Sequence, residues 1–364
     1  MRRILFSFFL ISLMTCLANA QVFLGAKESG MGGCGVANST GLTSIYYNPA
    51  GLMAGGSFGL KISLAPSYTD YQKVSDAFSN SSDIATFLTD NFASELAMEG
   101  DLAAQIGFNF NKIGISAIAL PLGNYAGDTL VSNKSIFIEK AAFAPQARAA
   151  YSTRYDYILT LGRSFSNVDV GINIKSINAV YGTFSPAALA TTAPFNTGTG
   201  NGTAYDIGLR SSVNVPLLGS AAVGIAMRDV AGKINYSRKQ QTYYINNLTG
   251  AITTSANSDL ADVSVDLDST TLVGIAGKID SINLGVAADL EMAKAGSTTH
   301  LGLEYPMFSN LIIARAGIAT GPSISKTTYG AKLNLPILSL DATRIIDNNN
   351  SALTSWTVDI GLGI

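Results

Sequence analysis

Apolar and polar residues alternate with period two along much of this chain. Between positions 168 and 175 one face carries Val168, Val170, Ile172 and Ile174, and the other carries Asp169, Gly171, Asn173 and Lys175. From 282 to 292, Ile282, Leu284, Val286, Ala288, Leu290 and Met292 share a face opposite Asn283, Gly285, Ala287, Asp289 and Glu291. Residues 58–64, 205–210, 223–228, 301–305, 338–343 and 356–364 repeat the pattern. Side chains point alternately to the two sides of a strand, so each segment predicts a strand with one greasy face and one polar, glycine-rich face. After the first twenty residues, no stretch has the about 18 uninterrupted apolar residues of a membrane-crossing helix.

The spacing of the connections adds a second regularity. Short turns are predicted at 111–112, 165–167, 213–218, 280–281, 305–310 and 335–336. Longer polar stretches lie between them, at 182–202, 229–262 and 347–354. Short turns at one end and long loops at the other are the asymmetry of a transmembrane barrel. Six tight hairpins make twelve strands, and a first strand near 57–66 and a last near 355–364 make fourteen. Residues 134–154 are ambiguous, so the expected range is 12–16.

Composition decides what the greasy faces meet. The chain has 364 residues, 47% of them hydrophobic and 13% charged. A soluble sandwich hides its apolar face and displays charge, and ordinary soluble domains carry about 25% charged residues. Here the apolar face is predicted to meet lipid. The sheet must then close, because an open edge in lipid leaves backbone groups unpaired. The fold class is therefore all-β: an antiparallel transmembrane β-barrel of about 14 strands. Lys and Arg number 23 against 25 Asp and Glu. No basic excess suggests nucleic acid.

The ends of the pattern supply an address and a plug. Arg2 and Arg3 precede the apolar run Leu5–Met14, and Ala18-Asn19-Ala20 reads as a cleavage site, so residues 1–20 are an export signal. Thr15 makes a poor neighbour for lipid attachment at Cys16, and Cys34 then stays as a single cysteine. Residues 21–56 precede the first strand and are expected to form a hatch inside the barrel wall of residues 57–364. Within the first long loop, Ile84, Phe87, Leu88, Phe92 and Leu96 recur at helical spacing, predicting a short amphipathic helix over 82–98.

The hatch holds the most specific motif. Gly30-Met31-Gly32-Gly33-Cys34-Gly35-Val36-Ala37 is followed by Tyr46-Tyr47-Asn48-Pro49-Ala50-Gly51-Leu52. Gly30, Gly32 and Gly35 satisfy a dinucleotide fingerprint literally. No strand–helix unit surrounds them, however, and no acidic residue between Glu28 and Asp70 is available for a ribose. Glycines Gly30, Gly32, Gly33 and Gly35 instead suit an irregular backbone in a crowded lumen. Asn48-Pro49 is predicted to fix a turn. This combination resembles the FadL/TodX-type outer-membrane transporter superfamily, and is similar to its TraF-like and PorV-like barrel relatives. The resemblance implies a fourteen-stranded barrel plugged by an N-terminal hatch, with Asn48-Pro49-Ala50 inside it.

Catalytic readings find little support. His300 shares the lumenal face of its strand with Glu304 and reads as a satisfied pair with it rather than a catalytic dyad, and no Ser stands in G-x-S-x-G. Of Asp259, Asp262, Asp266 and Asp268, three alternate with Val263, Val265 and Leu267, which predicts a solvated or lumen-facing strand end rather than a calcium loop. Neither an enzyme, a cofactor nor a metal is expected. Lys61, Asp206, Arg210, Arg228, Asp289 and Glu304 are expected to line the lumen with Asp169, Lys175, Lys278, Glu291, Lys332 and Asp341, their mixed signs pairing with the plug. The leading expectation is an outer-membrane barrel of a Gram-negative-type bacterium, bathed in lipid, that passively admits small hydrophobic, fatty-acid-like molecules. Tyr46, Tyr47, Asn48, Pro49 and Ala50 would form its gate. The alternative, implied by the TraF-like and PorV-like resemblance, is a non-transporting scaffold for a secretion or conjugation complex.

Overall fold

The computed structural model describes residues 23–68, 96–120, 124–125, 128–129, 134–139, 146–184, 192–216, 218–245, 252–322, 324–350 and 353–363. The expected export signal and residues 82–95 of the expected loop helix lie outside them.

Fourteen antiparallel strands close into a barrel. The first four are β1 (Phe58–Tyr68), β2 (Leu96–Phe110), β3 (Ile113–Leu120, continued by Lys134–Glu139) and β4 (Gln146–Phe165). Next come β5 (Val168–Phe184), β6 (Thr192–Val215), β7 (Gly219–Ile245) and β8 (Ile252–Thr254, Ser258–Asp266 and Thr270–Ile279). The last six are β9 (Leu284–Ala293), β10 (Gly296–Met307), β11 (Ile312–Gly321), β12 (Ile324–Asn334), β13 (Leu338–Asp347) and β14 (Thr354–Gly363). Both segments of β3 lie between β2 and β4, and the three segments of β8 run in line beside β7. The ambiguous region 134–154 therefore adds no hairpin. Pairing of β1 with β14 closes the wall, so no edge faces lipid.

The outer surface follows the alternation. Ile172, Ile174, Tyr205, Ile207, Leu209, Leu301, Leu303, Val358 and Ile360 are all exposed and all point outward. Tyr155, Tyr157, Tyr205, Tyr329 and Trp356 stand towards one rim of this belt, and Phe58, Phe110, Phe165 and Tyr305 towards the other, as interfacial aromatic girdles do. No helix among the described residues is long and apolar enough to cross a membrane.

Four adjacent strands outgrow that belt. β4 to β7 have 20, 17, 24 and 27 residues, whereas a crossing needs about 9–11. The stretches at 182–202 and 229–262 were expected as loops, and most of each is strand instead. The reason is solvent: beyond the belt the outward positions carry Ser176, Asn178, Thr203 and Asn201, so the greasy face vanishes while the ladder continues. The inner face inverts with it. Ile177, Ala179, Tyr181, Ala204, Ile234 and Tyr236 form a buried cluster, with Val263, Val265 and Leu267 packed against it. Consequently Asp262, Asp266 and Asp268 point to solvent, not to the lumen.

Two further expectations need correction. Residues 96–98 belong to β2 rather than to a helix, because they pair with Ile136, Phe137 and Ile138 of β3. Ile282 and Asn283 form a turn before β9, where Asn283 adopts φ 55°. Leu284 is therefore the strand's first residue and lies near a rim.

Candidate functional site

Residues 23–56 fill the lumen at the end that bears the short turns. Helix α1 (Ala26–Gly30) packs against β11 to β14, and α2 (Ser44–Tyr47) leads into a 3-10 turn, Pro49–Ala54, that lies on β4, β5 and β6. The backbone here is too irregular to satisfy itself, so lumenal side chains do so. Asp289 Oδ2 accepts the N–H groups of Gly35 and Val36 at 2.6 and 2.8 Å. Asp359 Oδ2 accepts Ala26 N–H at 2.7 Å and pairs with Lys61 Nζ at 2.6 Å; Lys61 also donates to Thr43. Gln105, Asn109 and Asn173 donate to the carbonyls of Leu42, Gly56 and Ile45, and Arg210 donates to that of Ala37.

Asn48 is the hub of the Tyr46–Ala50 segment. Its Nδ2 donates to Val36 O at 2.8 Å and to Leu209 O of β6 at 3.0 Å, while its Oδ1 accepts Ala50 N–H at 3.1 Å. One side chain thus ties together the two halves of the hatch and the wall. Pro49 follows at the first position of the turn, where its missing N–H costs nothing. The wall facing this hub is glycine: Gly171, Gly208 and Gly224 leave no room for a Cβ against Pro49, Asn48 and Val36. Further round, Gly302 and Gly317 make the same close approach to Met31 and Gly32. Lumenal glycines, legible beforehand only as small residues, are the sockets of the hatch.

The predicted hatch glycines serve in two ways. Gly32 and Gly33 have φ of 71° and 93°, which favours glycine. Gly30 and Gly35 instead abut Arg315 with Thr343, and the Tyr47 ring. His300 holds this loop: its Nδ1 donates to Gly32 O at 2.7 Å, and its Nε2 lies 3.7 Å from Glu291. The expected His300–Glu304 pair does not form, because residues four apart on a strand are about 13 Å apart. Glu304 pairs with Arg315 at 2.6 Å, and Arg315 with Asp341 at 2.6 Å. Cys34 is buried beneath this loop; burial, with the charge of Asp289 adding to it, pushes its thiol pKa up.

A layer of ion pairs covers the hatch on its other side. Arg154 donates bidentately to Asp156 at 2.6 and 2.7 Å and to Asp229 at 3.0 and 2.6 Å. Lys175 joins Asp206 at 2.7 Å and Asp229 at 3.0 Å. Asp229 reaches inward because β7 breaks register between Met227 and Lys233, where Asp229 and Ala231 take positive φ. Arg228 binds Glu291 at 2.7 Å and stacks over Tyr46 at 4.9 Å; Tyr46 meets Tyr47 edge to face. Lys175 with Asp206 and Arg228 with Glu291 thus pair between strands of the wall rather than with the plug. Arg154, Asp156 and Asp229 were missed: Arg154 ended the ambiguous segment, Asp156 adjoined it, and Asp229 stood in a stretch read as loop. Strict alternation from Tyr155 and Tyr157 would have placed Arg154 and Asp156 inside.

Cavities lie around this assembly. A polar one of about 530 Å³ opens between Met31, Asn38, Arg210, Lys278 and Glu304, and a second of about 340 Å³ between Thr43, Lys61, Asn109 and Lys332. An apolar groove of about 640 Å³ lies on the outer wall between Val286, Leu303, Ile318 and Tyr329. None of the three is lined by Tyr46–Ala50. No cluster of potential metal ligands occurs among the described residues.

No family model and no curated protein matches this chain in sequence. Its structure is similar to the toluene transporter TodX of P. putida, with a TM-score of 0.60 at 11% identity, covering 93% of this chain and 98% of that one. The toluene transporter TbuX of Ralstonia pickettii gives 0.58 at 13% identity, over 93% and 96%. A Pseudomonas aeruginosa FadL homologue gives 0.58 at 10% identity, over 96% and 98%. The chain has the fold of the FadL/TodX-type outer-membrane channels.

Proposed function

We propose that this barrel is a passive outer-membrane channel for small hydrophobic molecules, fatty-acid-like ones included, gated by Tyr46, Tyr47, Asn48, Pro49 and Ala50. Residues 1–20 would direct export, 21–56 would form the hatch and 57–364 the wall. The observation that supports it best is the inversion of the inner face. Outside the belt the barrel interior is apolar and aromatic around Tyr181 and Tyr236, which meet edge to face at 5.4 Å. The cluster is packed shut, so a hydrophobic molecule would have to part it, gaining free energy in proportion to the apolar area it then buries. Below, it meets Arg228 over Tyr46 and the Arg154 layer, which must part before the hatch can shift. Asn48 anchors one end of the gate, so movement falls to Tyr46 and the backbone before it. The fold of the toluene transporters fits this reading.

The scaffold reading keeps one observation of its own. The layer above the hatch is ion-paired, and the three cavities do not touch Tyr46–Ala50. Uptake by proteoliposomes separates the two. Wild-type barrel should admit a fluorescent fatty acid faster than protein-free vesicles. The Asn48→Ala, Pro49→Ala variant should assemble with normal heat-modifiable migration but change that rate or leak small polar solutes. An assembled wild-type barrel without uptake leaves the scaffold ahead.

A further inference from the structure

The outward face of the extension carries an ordered polar lattice. Asn178 of β5, Asn201 of β6, Asn235 of β7 and Ser264 of β8 stand in one register row, all exposed. One step nearer the belt the row is Ser176, Thr203, Lys233 and Asp266; one step farther it begins Val180, Thr199, Ser237. Neighbouring strands are about 4.8 Å apart and same-face residues about 6.7 Å apart along a strand, so amides and hydroxyls repeat on a regular grid. A solvated sheet face ordinarily mixes charges of both signs. Here three neighbouring strands present the same amide in line, and the first polar residues follow directly on Ile174 and Tyr205 of the lipid-facing belt.

That continuity identifies the neighbour. A patch beginning where the apolar belt stops stands level with the headgroups of the lipid around it. The geometry points to a binding face for the oligosaccharide headgroup of an outer-leaflet glycolipid. Neutral amides and hydroxyls both donate and accept, which matches sugar hydroxyls, while Lys233 lies 4.0 Å from Asp266 and Lys239 stands opposite Asp259, so the patch recognises by hydrogen bonds rather than by net charge. Asn235 Oδ1 already accepts from Ser264 Oγ, which ties two neighbours of the row together. The inference rests on the outer-membrane placement and not on transport.

The test uses the full barrel in detergent, with fluorescent rough-type lipopolysaccharide and fluorescent phosphatidylglycerol as probes. Wild type should bind the glycolipid about ten-fold more tightly than the phospholipid, and lipid-free core oligosaccharide should compete. Asn178→Ala, Asn201→Ala, Asn235→Ala together should lose about ten-fold for the glycolipid and nothing for the phospholipid, with heat-modifiable migration retained. Equal wild-type affinities, absence of competition, or an assembled triple variant that keeps its preference would overturn the proposal. If the triple variant does not assemble, wild-type preference and competition decide the matter by themselves. Uptake into phosphatidylglycerol vesicles is measured separately, so failure of the transport reading is told apart from failure of this one.

Discussion

Gly208 of β6 faces Asn48 so closely that a Cβ on it would overlap Asn48 Oδ1 and come within 2.8 Å of Pro49. The glycine and the asparagine are one device: a wall socket and the side chain seated in it. Gly208→Ala is expected to cost about 1–3 kcal/mol, because Asn48 must give up its bond to Leu209 O or the strand must bow. The wall keeps its ladder, so the barrel should assemble. Liposome swelling with small sugars should show increased leak. An assembled Gly208→Ala barrel as tight as wild type would break the link between socket and seal.

Cys34 reports the seating of the hatch. It is fully buried, its Sγ lies 3.5 Å from Ala287 O, and burial raises its pKa, so the reactive thiolate is scarce at neutral pH. The folded protein should resist maleimide at pH 7 and label fully in denaturant. Asn48→Ala leaves Val36 O, Leu209 O and Ala50 N–H without their partner, at about 1–3 kcal/mol for each buried group, and should make Cys34 reactive in the assembled barrel. Rapid labelling of native wild type would contradict the placement of the loop.

How much of this was legible depends on what each residue faces. Where one side met lipid, as at Ile172 and Ile174, alternation gave both the strand and its orientation. Where both sides met water or protein, as from Gly198 to Thr203, the same geometry left no hydrophobic period and the strand read as loop. The turn at Asn48-Pro49 was visible because its residue types carry their own local chemistry. Its partners were not: Gly171, Gly208 and Gly224 come from three strands and converge only through the register. His300 shows the same limit. Its face was legible and its partner was not, since the partner is Gly32 in the hatch.

The facing assignment can be tested by depth. Leu301 sits mid-strand in β10 and points outward, whereas Leu284 begins β9 beside the turn. Arginine at the bilayer midplane costs about 2–4 kcal/mol and near the interface about 0–1. Leu301→Arg should therefore lower the yield of heat-modifiable barrel strongly, and Leu284→Arg only slightly. Equal yields would remove the belt from β9 and β10.

The ion layer gives a prediction whose sign depends on pairing. Arg154 is the shared cation of Asp156 and Asp229, with Lys175 the second cation of the group. Asp156 is fully buried, so losing Arg154 strands a desolvated carboxylate, while Asp229, about one-fifth exposed, retains some water. Arg154→Met alone should destabilise the barrel by about 3–5 kcal/mol, the range for breaking one side of a buried pair, with the lower end favoured by the exposure of Asp229. Arg154→Met with Asp156→Asn removes charge from both sides, and Lys175 can then serve Asp206 and Asp229. The double variant should be more stable than Arg154→Met alone, a non-additivity of the size found between residues in direct contact. Midpoints of unfolding in urea, read from the tyrosine-rich wall and from Trp356, measure all three proteins under one condition. If the two changes simply add, the pairs are independent, and the hatch is covered by separate buried ion pairs rather than by one network.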